Sequence, residues 1–282
     1  MFRTLVLLAA VTFTLTGPTA TARTWYIKAD GTGDAPTIQD GIDSATAGDL
    51  VLVGPGTFNS TIQVQVDGQP ATVNAYISKS LVLQSESGPS VTKIDGAASD
   101  ICILIVGAGN TAEVSGFEIT IAPQMIGCVL LEQRGAQRSS QGTGPDKIAI
   151  RCDGSSSTIH DNIIHDAYVG IRLNSAPATI TANIFENVAV GVDGVESDAL
   201  VTTNTAMTSF GVAFSFMNSS PQIQHNTIKG SNMAYSCRGI ECVASGKPTI
   251  SDNTLEAITD EGIWCNGVSP TITGNSGPLA IS

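Results

Sequence analysis

Two arginines in this 282-residue chain, Arg151 and Arg172, stand 21 positions apart, and Asp153, Asn174 and Asp193 follow them at matching intervals. Guanidinium groups brought together beside carboxylates make a clamp for an anion such as a uronate carboxylate. The plain alternative is a surface ladder in which Arg172 pairs with Asp193 for well under about 1 kcal/mol. Glu241, Trp264 and Asn266 extend the set, since an indole face can stack on a sugar ring. Asp153, Asn174, Glu241, Trp264 and Asn266 are the candidate substrate contacts.

Two other groups carry chemistry-bearing types. The stretch His160 to Asp166 holds two of the three histidines beside Asp161 and Asp166. Its imidazoles are expected to point apart, and a metal needs a third or fourth convergent ligand, so no metal site is assigned. Six cysteines permit disulfides without forming a dense framework, and the pairing of Cys102, Cys128, Cys152, Cys237, Cys242 and Cys265 stays open. Cys152, Cys242 and Cys265 are expected in an inward column with Leu173 and Phe214, as small hydrophobes.

These residues are positioned by a repeat. Asn162, Asn183, Asn204, Asn226, Asn253 and Asn275 each close a short segment begun by Ile or Val, at spacings near 22. A second marker keeps step: Gly127-Cys128-Val129-Leu130, then the segments at Ile150, Ile171, Val192, Val212, Ile240 and Ile263. Apolar residues alternate with polar ones over three to five positions between Gly, Pro, Ser and Asn clusters, the pattern of short strands. A coil that winds onward supplies the crossover that parallel strands need. The expected fold is therefore an all-β parallel β-helix of about 22 residues per coil, around ten coils stacked roughly 4.8 Å apart. Ile and Val stack inward, and Arg151, Arg172, Asp193, Ala213, Glu241 and Trp264 form one outward column. The Asn column reads as scaffold, since Asn tolerates left-handed turns and stacked amides hydrogen-bond along the ladder.

In the less regular earlier coils, Val114, Phe117 and Ile119 take the places of Ile159, Asn162 and Ile164. Two segments break the repeat, Glu132 to Lys147 and Lys229 to Arg238. Insertions of this kind commonly border a working face.

Arg3, the apolar run Leu5 to Leu15 and Ala20-Thr21-Ala22 match a secretory signal peptide cleaved after Ala22. A secreted or periplasmic location follows, and no later segment is long and apolar enough for membrane insertion. The expected layout is a signal peptide over 1–22 and one β-helix domain over 23–282, with a cap over 23–58 and coils over 59–282. The formal charge of −12 excludes nucleic acid and anionic membrane surfaces as partners. A polyanionic sugar needs a bridging cation. The chain stops soon after Asn275 without a second capping helix, so either Gly277 to Ser282 folds over the end, or the natural protein continues, or another chain covers the open strand edge by end-to-end association.

Ahead of the coils, Thr37 N-caps a short helix through Ile38, Ile42 and Ala45 with Gly48 as its stop. Such a helix covers the open end of the apolar column. With Trp25-Tyr26-Ile27 and Gly54-Pro55-Gly56-Thr57-Phe58, this opening resembles the pectin-lyase-like superfamily of right-handed β-helix proteins, over residues 24 to 275. The resemblance implies the right-handed coil and a glycan partner. In the lyases of that superfamily an Arg base works near Asp-bound calcium, which would make Arg172, Arg151 and Asp193 the catalytic residues and calcium the compatible cofactor. The Gln-Asp-Thr and Asp-Phe segments of pectin methylesterases, the Asn-Thr-Asp, Asp-Asp and Gly-His-Gly elements of polygalacturonases and the Arg-x-Pro-x-x-Arg signature of pectate lyases are missing, so no branch transfers its residues. The expected function is binding of extracellular polysaccharide of the uronate type, with cleavage by a lyase or glycoside hydrolase activity as its extension. The rivals are a non-catalytic structural or adhesion solenoid and, more weakly, a periplasmic metal-handling protein.

Overall fold

The computed structural model describes residues 21–121, 147–208, 211–230 and 237–277. Strands of mostly three to six residues stack into three sheets of ten, eight and nine strands, which together wrap one core. Every pairing among the described strands is parallel except the hairpin of Ile62–Val66 with Gln69–Ile77. In the ten-stranded sheet Val114, Ile159, Ile180, Val201, Ile223, Ile250 and Ile272 are register partners in succession. Ile119, Ile164, Phe185, Ala206, Ile228 and Leu255 do the same in the eight-stranded sheet. A three-residue strand buries its middle side chain and leaves its neighbours outward, so this alternation suffices to build the core.

The solenoid has about 9 turns of about 25 residues on average. The period near 22 holds only from Ile159 onward; Val51 pairs with Leu83 and Leu83 with Val114 over longer intervals. The expected places of Val114, Phe117 and Ile119 are correct: Ile159 faces Val114, Ile164 faces Ile119, and the Phe117 N–H donates to Asn162 Oδ1 at 3.0 Å.

The asparagine corner joins the ten- and eight-stranded sheets. The left-handed residue there is not Asn but the one before it: Asp161, Ala182, Thr203, His225 and Asp252 have φ of 54 to 57°. That turn throws the next side chain inward, where Asn183 is fully buried. Its Nδ2 donates to Ile159 O at 2.9 Å, Thr181 O at 3.0 Å and Asn204 Oδ1 at 3.1 Å, and its backbone N–H donates to Asn204 Oδ1 at 2.9 Å. The amide-to-amide bond recurs in one sense from Asn162 through to Asn275. A buried amide must be fully satisfied, and each coil satisfies the amide of the coil before it.

The helix Ile38–Ser44 begins where expected, its cap Thr37 Oγ1 accepting from the Asp40 N–H at 3.1 Å. It ends at Ser44, short of Gly48, and buries Ile38 and Ile42 against the first core residues, Ile27 and Val51 among them.

Two expectations of register need correction. The strand Gly211–Met217 is shifted by two residues: Asp193 faces Ser215, and Gly194 faces Phe216. Ala213 is therefore buried and absent from the outward column, and Phe216, not Phe214, joins the inward column of Cys152, Leu173, Cys242 and Cys265. A slip of two keeps Phe214 and Phe216 on one face, so the apolar pattern is blind to it, while Ala213 and Phe214 both enter the core where the alternation breaks. A side chain on Gly194 would run into the Phe216 ring, which fixes the true register. The rung expected from Gly127 to Leu130 is supplied instead by Ile101–Val106: Ile148–Asp153 has that strand on one side and Val169–Asn174 on the other. Residues 127–130, with Cys128, lie outside the described residues. So do 1–20 of the expected signal peptide and most of the two segments that break the repeat.

Candidate functional site: the outward column of the nine-stranded sheet

The nine-stranded sheet turns Tyr76, Leu104, Arg151, Arg172, Asp193, Ser215, Glu241 and Trp264 outward in one register column. From Arg151 to Trp264 it covers five steps, about 24 Å. Its charged members fall into three groups.

The first group centres on Arg151. Its Nε donates to both Asp153 oxygens at 2.9 Å, and Nη2 donates to Asp67 Oδ2 at 2.7 Å. Asn174 Nδ2 donates to Asp153 Oδ1 at 2.7 Å. Burial works against the Arg151 charge, but the bonds to Asp153 and Asp67 outweigh it and hold the guanidinium pKa above its ordinary value. Arg151 is a fixed cation.

In the second group, on the next rungs, Arg172 reaches Asp193 at 3.3 Å, with side-chain exposures of 20% and 14%. These two residues remain within reach of solvent on the face between the other groups.

The third group is organised by Arg238, which no spacing singled out. It donates from Nε to Glu261 at 2.8 Å and from Nη1 to Glu241 at 3.2 Å, lies 3.3 Å from Asp260 and stacks 4.5 Å over the Trp264 ring. Burial opposes its charge and the three carboxylates overcome that, so this cation too is held. Trp264, expected as an exposed aromatic, is half-buried beneath this guanidinium. Asn266 is exposed at the end of its strand, opposite Val243.

The column thus brings together Arg151, Asp153 and Asn174, joins Arg172 to Asp193, and joins Glu241 to Trp264 through Arg238. Asp67 escapes sequence reasoning because it sits in a hairpin turn with φ of 51°, 84 residues from its partner. Ser215, whose Oγ donates to Glu241 at 3.3 Å, was hidden by the two-residue slip. The same outer face also carries an apolar patch, with Ile101, Leu104, Ile148, Val169 and Val190 buried beside Tyr76 and Tyr168.

Calcium requires six to eight converging oxygens. Asp153 is turned onto Arg151 and Asn174, and Asp193 onto Arg172. These carboxylates answer guanidinium groups and do not form an oxygen cage. The histidines lie on different sheets, His160 between Asp161 at 2.6 Å and Glu113 at 3.0 Å, His165 between Asp166 at 2.8 Å and Glu118 at 3.0 Å. Among the described residues no group of three or more His, Cys, Asp and Glu is placed to hold a metal, and no helix is long and apolar enough to cross a membrane.

Comparisons with known proteins define the class. A family model described as a right-handed β-helix region matches residues 137–276. Among solved structures, a pectin methylesterase from Aspergillus niger is similar at a TM-score of 0.58 and 14% identity, covering 94% of this chain and 88% of its own. A GH136 lacto-N-biosidase from Eubacterium ramulus gives 0.59 at 10% identity, over 90% of this chain and 56% of its own. A DFA-IIIase from Arthrobacter chlorophenolicus gives 0.52 at 13%, over 89% and 79%. No curated protein matches the sequence. The chain is a right-handed parallel β-helix protein with the pectin-lyase-like fold.

Proposed function

We propose that this is an exported β-helix protein that binds extracellular polysaccharide of the uronate type along the outward column of the nine-stranded sheet. The supporting observation is the column itself: Arg151, Arg172 and Asp193 stand on consecutive rungs, with Trp264 and Arg238 further along the same face. A linear polymer lying along a rod meets equivalent positions at every rung, and two guanidinium groups on neighbouring rungs suit successive carboxylates. The shared fold of a pectin methylesterase, whose name places it on pectin, supports an acidic glycan. Asp153, Asn174, Glu241 and Asn266 are the polar groups beside that path.

Binding is better supported than cleavage. In a cleavage reaction Arg172 or Arg151 would be the base of the elimination, beside Asp193. Affinity electrophoresis in polygalacturonate and in a neutral glucan, with and without calcium, tests the proposal. Retardation by polygalacturonate that R172A weakens tenfold or more is expected. Equal mobility in all gels sinks the glycan reading and leaves a rod whose role is structural. Release of unsaturated uronate by the wild type, lost in R172A and D193A, would extend binding to cleavage.

A further inference from the structure

We propose that Cys242 and Cys265 are a disulfide-forming pair that cross-links two successive coils of the rod. The strands Cys237–Val243 and Ile263–Asn266 are parallel and set Cys242 opposite Cys265 in register. In-register residues of neighbouring strands lie about 4.8 Å apart, within the Cα separations of roughly 4.4–6.8 Å over which a disulfide closes. Both side chains point inward, along the column of Leu173, Gly194 and Phe216, and the two thiols are close enough to perturb each other's ionisation. Among the described residues no other two cysteines are register partners: Cys152 faces Ile105 and Leu173, and Cys237 faces Gly211.

The pair is asymmetric, which divides the roles. Cys242 is 1% exposed, whereas Cys265 is partly open and lies on the edge strand of its sheet. The neighbouring Cys242 thiol holds the Cys265 thiol below its ordinary pKa, while that same contact and burial drive Cys242 up. A thiolate is the attacking species in exchange, so Cys265 meets the oxidant and Cys242 resolves the product.

With oxidised glutathione as the co-reactant, the Cys265 thiol loses its proton and its sulfur attacks one glutathione sulfur, breaking the S–S bond and releasing one glutathione thiolate. Cys242 then gives up its proton and attacks Cys265 Sγ, expelling the second glutathione. Two protein thiols are oxidised, one glutathione disulfide is reduced, and the released protons go to the two glutathione thiolates. The shorter Cβ separation of a disulfide requires an approach of about 1 Å, which the edge strand is placed to make. This inference needs an oxidising setting but no glycan, so it stands or falls apart from the binding proposal.

The full-length protein, incubated with oxidised glutathione, alkylated and digested without reductant, should yield a peptide pair joined through Cys242 and Cys265 that dithiothreitol separates. In C242S, oxidation should stop at a glutathione adduct on Cys265; in C265S, position 242 should take up none. Amide exchange in Ile263–Asn266 should slow about tenfold in the oxidised wild type. A cross-link from either residue to a different cysteine, or free thiols at both positions after oxidation of the folded wild type, overturns the proposal whether or not the variants fold.

Discussion

Two polar columns run along the same rod, and they are built on opposite rules. At the asparagine corner five identical amides lie buried inside the coil with a sixth, Asn275, at its partly open end, and each donates to the amide oxygen of the next. On the outer face of the nine-stranded sheet no residue type is kept for long: Arg, Arg, Asp, Ser, Glu and Trp succeed one another and are tied sideways to Asp153, Asp67 and Arg238. Identity from rung to rung is what a buried ladder demands, because one missing group strands the polar atoms above and below it. Variation from rung to rung is tolerated where solvent covers each error, and there a ligand can be matched residue by residue.

The sharpest way to break this contrast is at the ladder. Asn204→Ala removes the acceptor of the Asn183 N–H and Nδ2 and the donor to Ile180 O, Thr202 O and Asn226. A loss of about 3 kcal/mol is expected, since several buried polar groups lose their partners. It should appear as a lowered thermal midpoint, and a change under about 1 kcal/mol would mean that the corner is held by its backbone alone. Gly194→Val should come next, at about 1–3 kcal/mol, because the added side chain meets the Phe216 ring. Combined with Phe216→Ala it should cost less than the sum of the two single losses, and strict additivity would argue against the register Gly194 to Phe216.

On the outer face the order of effects reverses. Arg172→Ala should cost well under about 1 kcal/mol of stability, as partly exposed ion pairs do, while reducing retardation in polygalacturonate. A large drop in thermal midpoint would place Arg172 with the scaffold. The smallest effect belongs to His160. Burial opposes its charge, but Asp161 and Glu113 prevail and raise its pKa above 6.5. A raised folded pKa contributes stability that is complete below 6.5 and is lost as pH rises through the folded value. Between about pH 5.5 and pH 8.5 the thermal midpoint of the wild type should therefore fall slightly relative to H160Q. An equal or opposite trend would show that the two carboxylates do not favour the charged ring.

Most of the fold was legible because the core repeats. The Ile and Val columns, the Asn ladder, the Thr37 cap and even the substitution of Phe117 for Asn in an early coil can be read from spacing alone. What stayed hidden has definite physical causes. A two-residue slip at Gly211–Met217 keeps Phe214 and Phe216 on one face, so Ala213 looked like an outward residue until Phe216 was seen against Gly194. The left-handed turn residue leaves no consistent type, being Asp, Ala, Thr or His, because its side chain faces away while the following Asn does the bonding. The outward column was located by register with one error, but its actual partners, Asp67 and Arg238, approach from a hairpin turn and from the adjoining column. Contacts across such distances follow from the coil geometry, not from local pattern.

The one-way sense of the asparagine ladder has an electrical consequence. Each side-chain amide from Asn162 to Asn253 donates an N–H to the amide oxygen of the next coil, and Asn275 closes the series as an acceptor. Aligned amide dipoles add in the manner of peptide units in a helix. The ladder itself is therefore oriented along the rod axis, its amide-to-amide N–H sense running toward Asn275.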